Sequence, residues 1–307
     1  MQWFDREFAF VVGKGGVGKT VVTLALAVAA ARQGKRVLVA LANARENVSE
    51  HLEVPPLTHE IRNVLPGVDA VNMEPGHALE EYGLMVLKIR ALHTAIFGNS
   101  LVTSFLRGTP GMEAWSMLGK AYYHATHRDE RGRRAYDMVL LDAPATGHAL
   151  DMLRVPTVIA SVAPPGLLRR EADRALELFR DPNRTHTVLV TLPEDMPANE
   201  TVELETALRG ELGMRASLLV VNRKTEALFD PAQAAALAGV PDNASFGTGV
   251  EEALRASRRR IRRNAIESEA RAVLSGALPL PVVELPDLLV PVVRRGEIES
   301  LSRRFAP

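Results

Sequence analysis

The segment Gly13-Lys14-Gly15-Gly16-Val17-Gly18-Lys19-Thr20 constrains the fold more than any other part of the chain. It satisfies the pattern GxxxxGK[ST], which requires a buried strand before it and a helix after it. Both signals are present. Glu7-Phe8-Ala9-Phe10-Val11-Val12 is a short apolar run closed by Gly13, and a helical pattern runs from about Thr20 to Gln33 before Gly34 ends it. Arg36-Val37-Leu38-Val39-Ala40-Leu41 then reads as a second buried strand, completing a βαβ unit with parallel strands. The residue types set the chemistry of the loop. Its glycines let backbone N–H groups turn inward around phosphates, and the helix N-terminus adds partial positive charge. Lys19 is placed to meet β- and γ-phosphate oxygens, and Thr20 to offer its hydroxyl to Mg²⁺.

Strands of the same kind recur around Val68 to Met73, Tyr136 to Leu141, Thr187 to Leu192 and Ala216 to Val221. Pro281 to Leu285, bounded by proline, suits an edge strand. Helical stretches alternate with them, so the expected fold is α/β: a doubly wound, mostly parallel sheet in one domain spanning 1–307. From Pro75 to Arg128 the strand signal stops. Leu79, Tyr82, Val86, Ile89, Leu92 and Ile96 fall at helical spacing, as do Met112, Trp115, Leu118 and Tyr122. Residues 75–128 are therefore expected to be an inserted helical segment above the sheet. With 47% hydrophobic and 24% charged residues, the chain has material for a large core and no case for disorder. Cysteine is absent, which excludes disulfides, thiolate metal sites, iron–sulfur clusters and cysteine nucleophiles.

A second segment, Tyr136-Asp137-Met138-Val139-Leu140-Leu141-Asp142-Ala143-Pro144-Ala145-Thr146-Gly147-His148, is an apolar strand ending in an acid. That is where the Walker-B carboxylate of a phosphate-loop protein holds Mg²⁺, directly or through water. The stretch resembles the Asp-Thr-Ala-Pro-Thr-Gly-His segment of the arsenite-pump (ArsA-like) and tail-anchored-protein-targeting ATPases. The loop, with its early Lys14, resembles the deviant phosphate loop of the wider SIMIBI class. The resemblance implies ATP and Mg²⁺ as cofactors, with Thr20 and Asp142 at the metal. It also implies a face-to-face dimer in which Lys14 reaches the partner's nucleotide. Gly147 is then the switch glycine that senses the γ-phosphate, and His148 part of the moving loop. Further likeness lies in Thr191-Leu192-Pro193-Glu194 with Glu200, a post-strand loop. Val220-Val221-Asn222-Arg223 resembles the adenine-reading stretch, and Pro286 matches the proline that packs on the base.

One departure matters. The family carries an aspartate after the second strand that orients or deprotonates the attacking water, and Asn43 falls at that position here; no Asp occurs from Arg36 to Leu52. An amide holds a water but cannot take its proton, and losing a general base costs about 10²–10⁴ in rate. Nucleotide binding with slow or partner-dependent hydrolysis is the expectation, with Glu46 the nearby carboxylate that is open as a substitute. A dimer with one weak subunit makes sense beside a competent partner, so a heterodimer with a paralogue is favoured over a slow homodimer. A protein client is also implied. The short stretch between Leu153 and the strand near Val188 leaves little room for a long substrate-binding insert.

Two features fit rival readings. Arg255, Arg258, Arg259, Arg260, Arg262 and Arg263 form a basic run, read as a solvated helix face balanced by Glu251, Glu252, Glu267 and Glu269. Ile298 to Phe305 reads as a final helix packed on the sheet rather than a membrane-touching one. With Lys plus Arg equal to Asp plus Glu at 37 each, and pI near 7.1, neither nucleic-acid nor membrane binding is expected. The start of the chain lacks the layout of a secretory signal, so a cytoplasmic location is expected. The alternatives are a ParA/MinD-like positioning ATPase acting on DNA, membrane or a polymer, and a nucleotide-locked pseudo-ATPase subunit.

Overall fold

The computed structural model describes residues 3–42, 47–87, 109, 111–241 and 246–305. Its strands are β1 (Phe8–Val12), β2 (Val37–Ala42), β3 (Arg62–Leu65), β4 (Val68–Met73), β5 (Met138–Asp142), β6 (Thr185–Thr191), β7 (Leu218–Lys224) and β8 (Val282–Pro286). They form one sheet in the order β3-β4-β2-β5-β1-β6-β7-β8. Every pairing is parallel except β3 with β4. All residues of β1, β2, β5 and β6 are buried, as central strands are when helices cover both faces, although β6 carries Thr185, His186, Thr187 and Thr191 among its apolar residues. β8 lies at one edge, as its bounding prolines imply.

Alternation along β1 divides the core in two. Phe8, Phe10 and Val12 point to one face and Ala9 and Val11 to the other. The first face is covered by α3 (Pro75–Leu87), α4 (Met112–Thr126), α5 (Thr146–Val162), α6 (Leu167–Arg180), α7 (Asp195–Leu212) and α9 (Thr248–Ala277). The second is covered by α1 (Lys19–Arg32), α2 (Val48–Leu52) and α10 (Arg295–Ser302). The small residues Ala25, Ala27, Ala29 and Ala30 are all buried in α1, so this helix lies close on the sheet. A short helix, α8 (Pro231–Gly239), has no buried residue and is closed at its start by an Asp230–Gln233 capping box.

Strand and helix boundaries shift by one to three residues from those read in the sequence, the usual fraying of ends. β3 is a strand that the sequence analysis does not place. Only Val64 and Leu65 are apolar and buried in it, too few for a periodic signal; its turn signal, Pro66-Gly67 with φ 77° at Gly67, joins it to β4. In the helical segment, Tyr82, Trp115, Leu118 and Tyr122 are buried against the first face and Leu79 is buried as well, while Ile89, Leu92 and Ile96 lie outside the described residues. The pair α3–α4 is close: a Cβ on Gly119 would lie 2.5 Å from the Tyr82 ring. Lys120, buried in α4, pairs with Glu81 of α3 and donates to the His59 carbonyl at 3.1 Å.

The final helix packs chiefly against α1, which itself lies on the sheet, rather than on the sheet as expected. Ile298 and Leu301 of α10, with Phe305 in the following turn, are buried against α1, and Arg32 donates to the Glu299 carbonyl and the Ser302 hydroxyl. The stretch between Leu153 and β6 holds only the end of α5 and the helix α6. No helix of the described residues is long and apolar enough to cross a membrane.

Candidate nucleotide site

The phosphate loop leaves the C-terminal end of β1, between β5 and β6, the edge at which open α/β sheets bind ligands. Two of its glycines are dictated by space. A Cβ on Gly13 would sit 2.2 Å from the Val190 carbonyl oxygen, and one on Gly18 would sit 2.4 Å from Asn222 Nδ2. Gly18 also has φ 88°, a left-handed conformation that only glycine adopts freely. Gly16, at φ 84°, completes the curl, and Val17 is buried beneath it.

Lys19, the first residue of α1, folds back over the loop. Its Nζ donates to the carbonyls of Gly13 at 3.0 Å and Lys14 at 3.1 Å. Burial lowers its pKa, and the charge of Asp142 partly opposes that. Thr20 Oγ1 donates to Asp142 Oδ2 at 2.6 Å. Asp142 is almost fully buried at the end of β5, and its second oxygen, Oδ1, is buried with no hydrogen-bond partner among the described residues. Desolvation pushes its carboxyl up to about 6, against the Thr20 hydrogen bond and the Lys19 charge. A hydroxyl and a carboxylate with a spare oxygen are hard donors of the kind Mg²⁺ takes, in the small number it takes from protein. The pair fits that ion.

The start of α5 abuts the loop: a Cβ on Gly15 would lie 3.5 Å from the Ala145 Cβ. Thr146 Oγ1 there is buried with no hydrogen-bond partner among the described residues, while Gly147 and His148 are exposed to solvent beside the loop. Lys14 does not extend freely. Its Nζ is paired with Glu200 of α7 at 2.5 Å, a contact across 186 residues that no local signal announces. Asn222 is buried and donates its amide to the Val17 carbonyl at 2.9 Å, which ties β7 to the loop. Arg223 follows with φ 54°, and Pro286 lines a cleft of about 930 Å³ next to Lys224 and Thr225. Asn43 and Glu46 lie outside the described residues.

Half of the basic run turns inward. Arg260 donates to the Glu226 carbonyl at 2.6 and 3.0 Å, Arg258 to the Val240 carbonyl, and Arg263 pairs with Glu267 and Asp287. Of the four glutamates read as balancing the run, Glu267 is buried and does more than balance charge: it also accepts from the Thr225 backbone and hydroxyl. The sequence analysis did not single it out for a role at the site.

A loop and carboxylate so arranged narrow the comparison with known proteins. Residues 6–164 match the family of anion-transporting ATPases, the ArsA type. The chain belongs to that family. The match includes the phosphate loop, Asp142 and the start of α5. Among its ArsA-type relatives, ATPase BagA of Mycobacterium tuberculosis is 27% identical over 226 residues, covering 72% of this chain and 66% of its own length. The arsenical pump-driving ATPase of Escherichia coli is 26% identical over 247 residues, covering 74% of this chain and 42% of its own. That of Acidiphilium multivorum is 27% identical over 232 residues, covering 70% and 39%. The chain thus spans less than two thirds of these relatives' lengths, and less than half of the pump-driving ones.

Proposed function

We propose that this ArsA-type chain binds ATP with Mg²⁺ at the phosphate loop and works as a dimeric switch, hydrolysing slowly or with a partner's help and acting on a protein client. The observation that carries the reading is the Thr20–Asp142 pair with its spare, buried carboxylate oxygen, set beneath a loop whose Lys19 rests on two backbone carbonyls. Bound Mg²⁺ supplies charge neutralisation across the β- and γ-phosphates. Every other part of the work falls to the chain. Lys19 exchanges its carbonyls for phosphate oxygens, which as anions accept more strongly. The N–H groups of the loop and the α1 N-terminus hold the remaining charge. Asp142 stays ionised once a cation faces it, reversing the effect of burial. At Gly147 the start of α5 stands where a γ-phosphate is sensed, and Lys14, released from Glu200, is free to meet phosphate. Asn222, Arg223 and Pro286 form the base side.

Hydrolysis is the weak step in this reading, because Asn43 orients a water without accepting its proton. That same residue favours a second reading, a nucleotide-locked subunit beside an active paralogue. Solution mass by light scattering, together with ATP turnover with and without Mg²⁺, separates the two. A monomer that binds Mg-ATP without turnover is the locked subunit, and a homodimer with turnover removes the heterodimer from consideration. Asn43→Asp is expected to raise turnover about tenfold or more in a competent dimer. No gain would mean that the missing base is not what limits the rate.

A further inference from the structure

We propose that Glu267 is the positioning residue for the base side of the nucleotide site; the proposal rests on the nucleotide reading above. The cleft of about 930 Å³ is walled by the ends of β7 and β8 and by α9, two residues along β7 from the Asn222 that bonds the phosphate loop. β7 does not run evenly into that wall. Its pairing with β8 shifts register between Val221 and Lys224, and Arg223 within the bulge holds φ 54°, which costs a residue with a side chain energy. Such a conformation persists only where its surroundings fix it. One end of the bulge is fixed by Asn222, whose amide donates to the Val17 carbonyl of the phosphate loop. The other end is fixed by Glu267.

The grip of Glu267 is complete. Its Oε2 accepts the Thr225 N–H at 3.1 Å; its Oε1 accepts the Thr225 hydroxyl at 2.7 Å and Arg263 Nε at 3.0 Å. Asn264 donates to the same Thr225 hydroxyl at 3.1 Å, so that hydroxyl is satisfied on both sides. Arg263 reaches on to Asp287 at 3.4 Å, and the Asp287 N–H donates to the Lys224 carbonyl at 2.9 Å. One buried carboxylate on α9 therefore joins Thr225, the helix itself and, through Arg263, the strand end that carries Pro286. With its oxygens already taken, Glu267 orders this wall rather than touching a base. Loss of its charge frees the bulge that carries Asn222 and Lys224. Lys19, on the Gly13 and Lys14 carbonyls, and the Thr20–Asp142 pair are held by contacts that do not involve Asn222 and stay in place.

The test separates base from phosphates. Wild-type chain, Glu267→Gln and Thr225→Val are titrated with Mg-ATP, Mg-GTP and inorganic tripolyphosphate by calorimetry. In Glu267→Gln the side-chain amide faces an N–H or a hydroxyl proton that a carboxylate accepted, and ATP affinity is expected to fall about tenfold or more. Its ATP-over-GTP preference is expected to shrink, with tripolyphosphate binding held within about twofold. Thr225→Val is expected to show the same split, smaller, and it carries the test should Glu267→Gln not fold. ATP and tripolyphosphate weakening together, or neither changing, overturns the positioning role. A wild-type chain that binds neither ligand overturns the nucleotide reading itself, and the proposal with it.

Discussion

Asp142 shows how a single side chain is prepared for a cation. Buried, one oxygen held by Thr20 and the other without a hydrogen-bond partner among the described residues, it carries a charge that burial disfavours. The unfavourable term is the reserve from which a divalent ion gains, since its charge restores what desolvation removed. Asp142→Asn keeps the shape and removes both the penalty and the gain. The fold is expected to lose no stability at pH 7.5, while Mg²⁺-dependent ATP binding weakens about tenfold or more. Calorimetry with ATP, run with Mg²⁺ and with chelator, reads this as the disappearance of the difference between the two runs. The glycines of the loop act by absence: Gly13 and Gly18 leave room for a carbonyl and an amide that any Cβ would displace.

At the scale of elements, α4 carries a titrating group in its packed face. His124 lies edge-on to the ring of Tyr136 at 6.1 Å and to Tyr123 at 5.8 Å, with its Nε2 buried and unpartnered by hydrogen bonds among the described residues. Burial, then the charges of Lys120 and His127, hold its pKa down to about 4. An unfolded histidine takes its proton near 6.5, so between these values the unfolded chain binds more protons. Stability present above about pH 6.5 is therefore lost as pH falls toward 4, roughly 3 kcal/mol in all. His124→Phe is expected to flatten that acid limb, read from urea midpoints between pH 4 and 7. The elements also differ in how well the sequence announces them. β1 and β2 are apolar throughout, and β5 is apolar up to its closing Asp142, because both their faces are covered, and the loop after β1 states its own context. β3 has two buried residues and a Pro-Gly turn, too little pattern to outweigh its polar half. The Lys14–Glu200 pair and the Glu267 hub join residues 186 and 42 apart, which periodicity cannot see. From the sequence alone Glu200 reads as part of the post-strand loop and Glu267 as an acid balancing the basic run, and neither reading names its partner.

In the whole molecule the two sheet faces are not equivalent. Among the described residues, the first is covered by six helices, including the long α9 of 30 residues, and the second by α1, α2 and α10. α1 is the helix whose N-terminus forms the site, and its outer surface is closed by Ile298, Leu301 and Phe305. Ile298→Asp places a charge at a fully buried position and is expected to cost about 3–5 kcal/mol, seen as a large drop in thermal midpoint. ATP affinity is expected to fall with it, because the helix carrying Lys19 and Thr20 loses its cover. The same contact has a consequence for biosynthesis. Arg32 on α1 and Ser302 at the end of α10 are separated by 270 residues, so a ribosome delivers the phosphate loop long before it delivers the layer that closes over the loop's helix. A nascent chain that has not yet reached Ile298 leaves exposed the apolar flank of α1 that Ile298, Leu301 and Phe305 cover, so closing that flank waits on residues some 270 positions downstream.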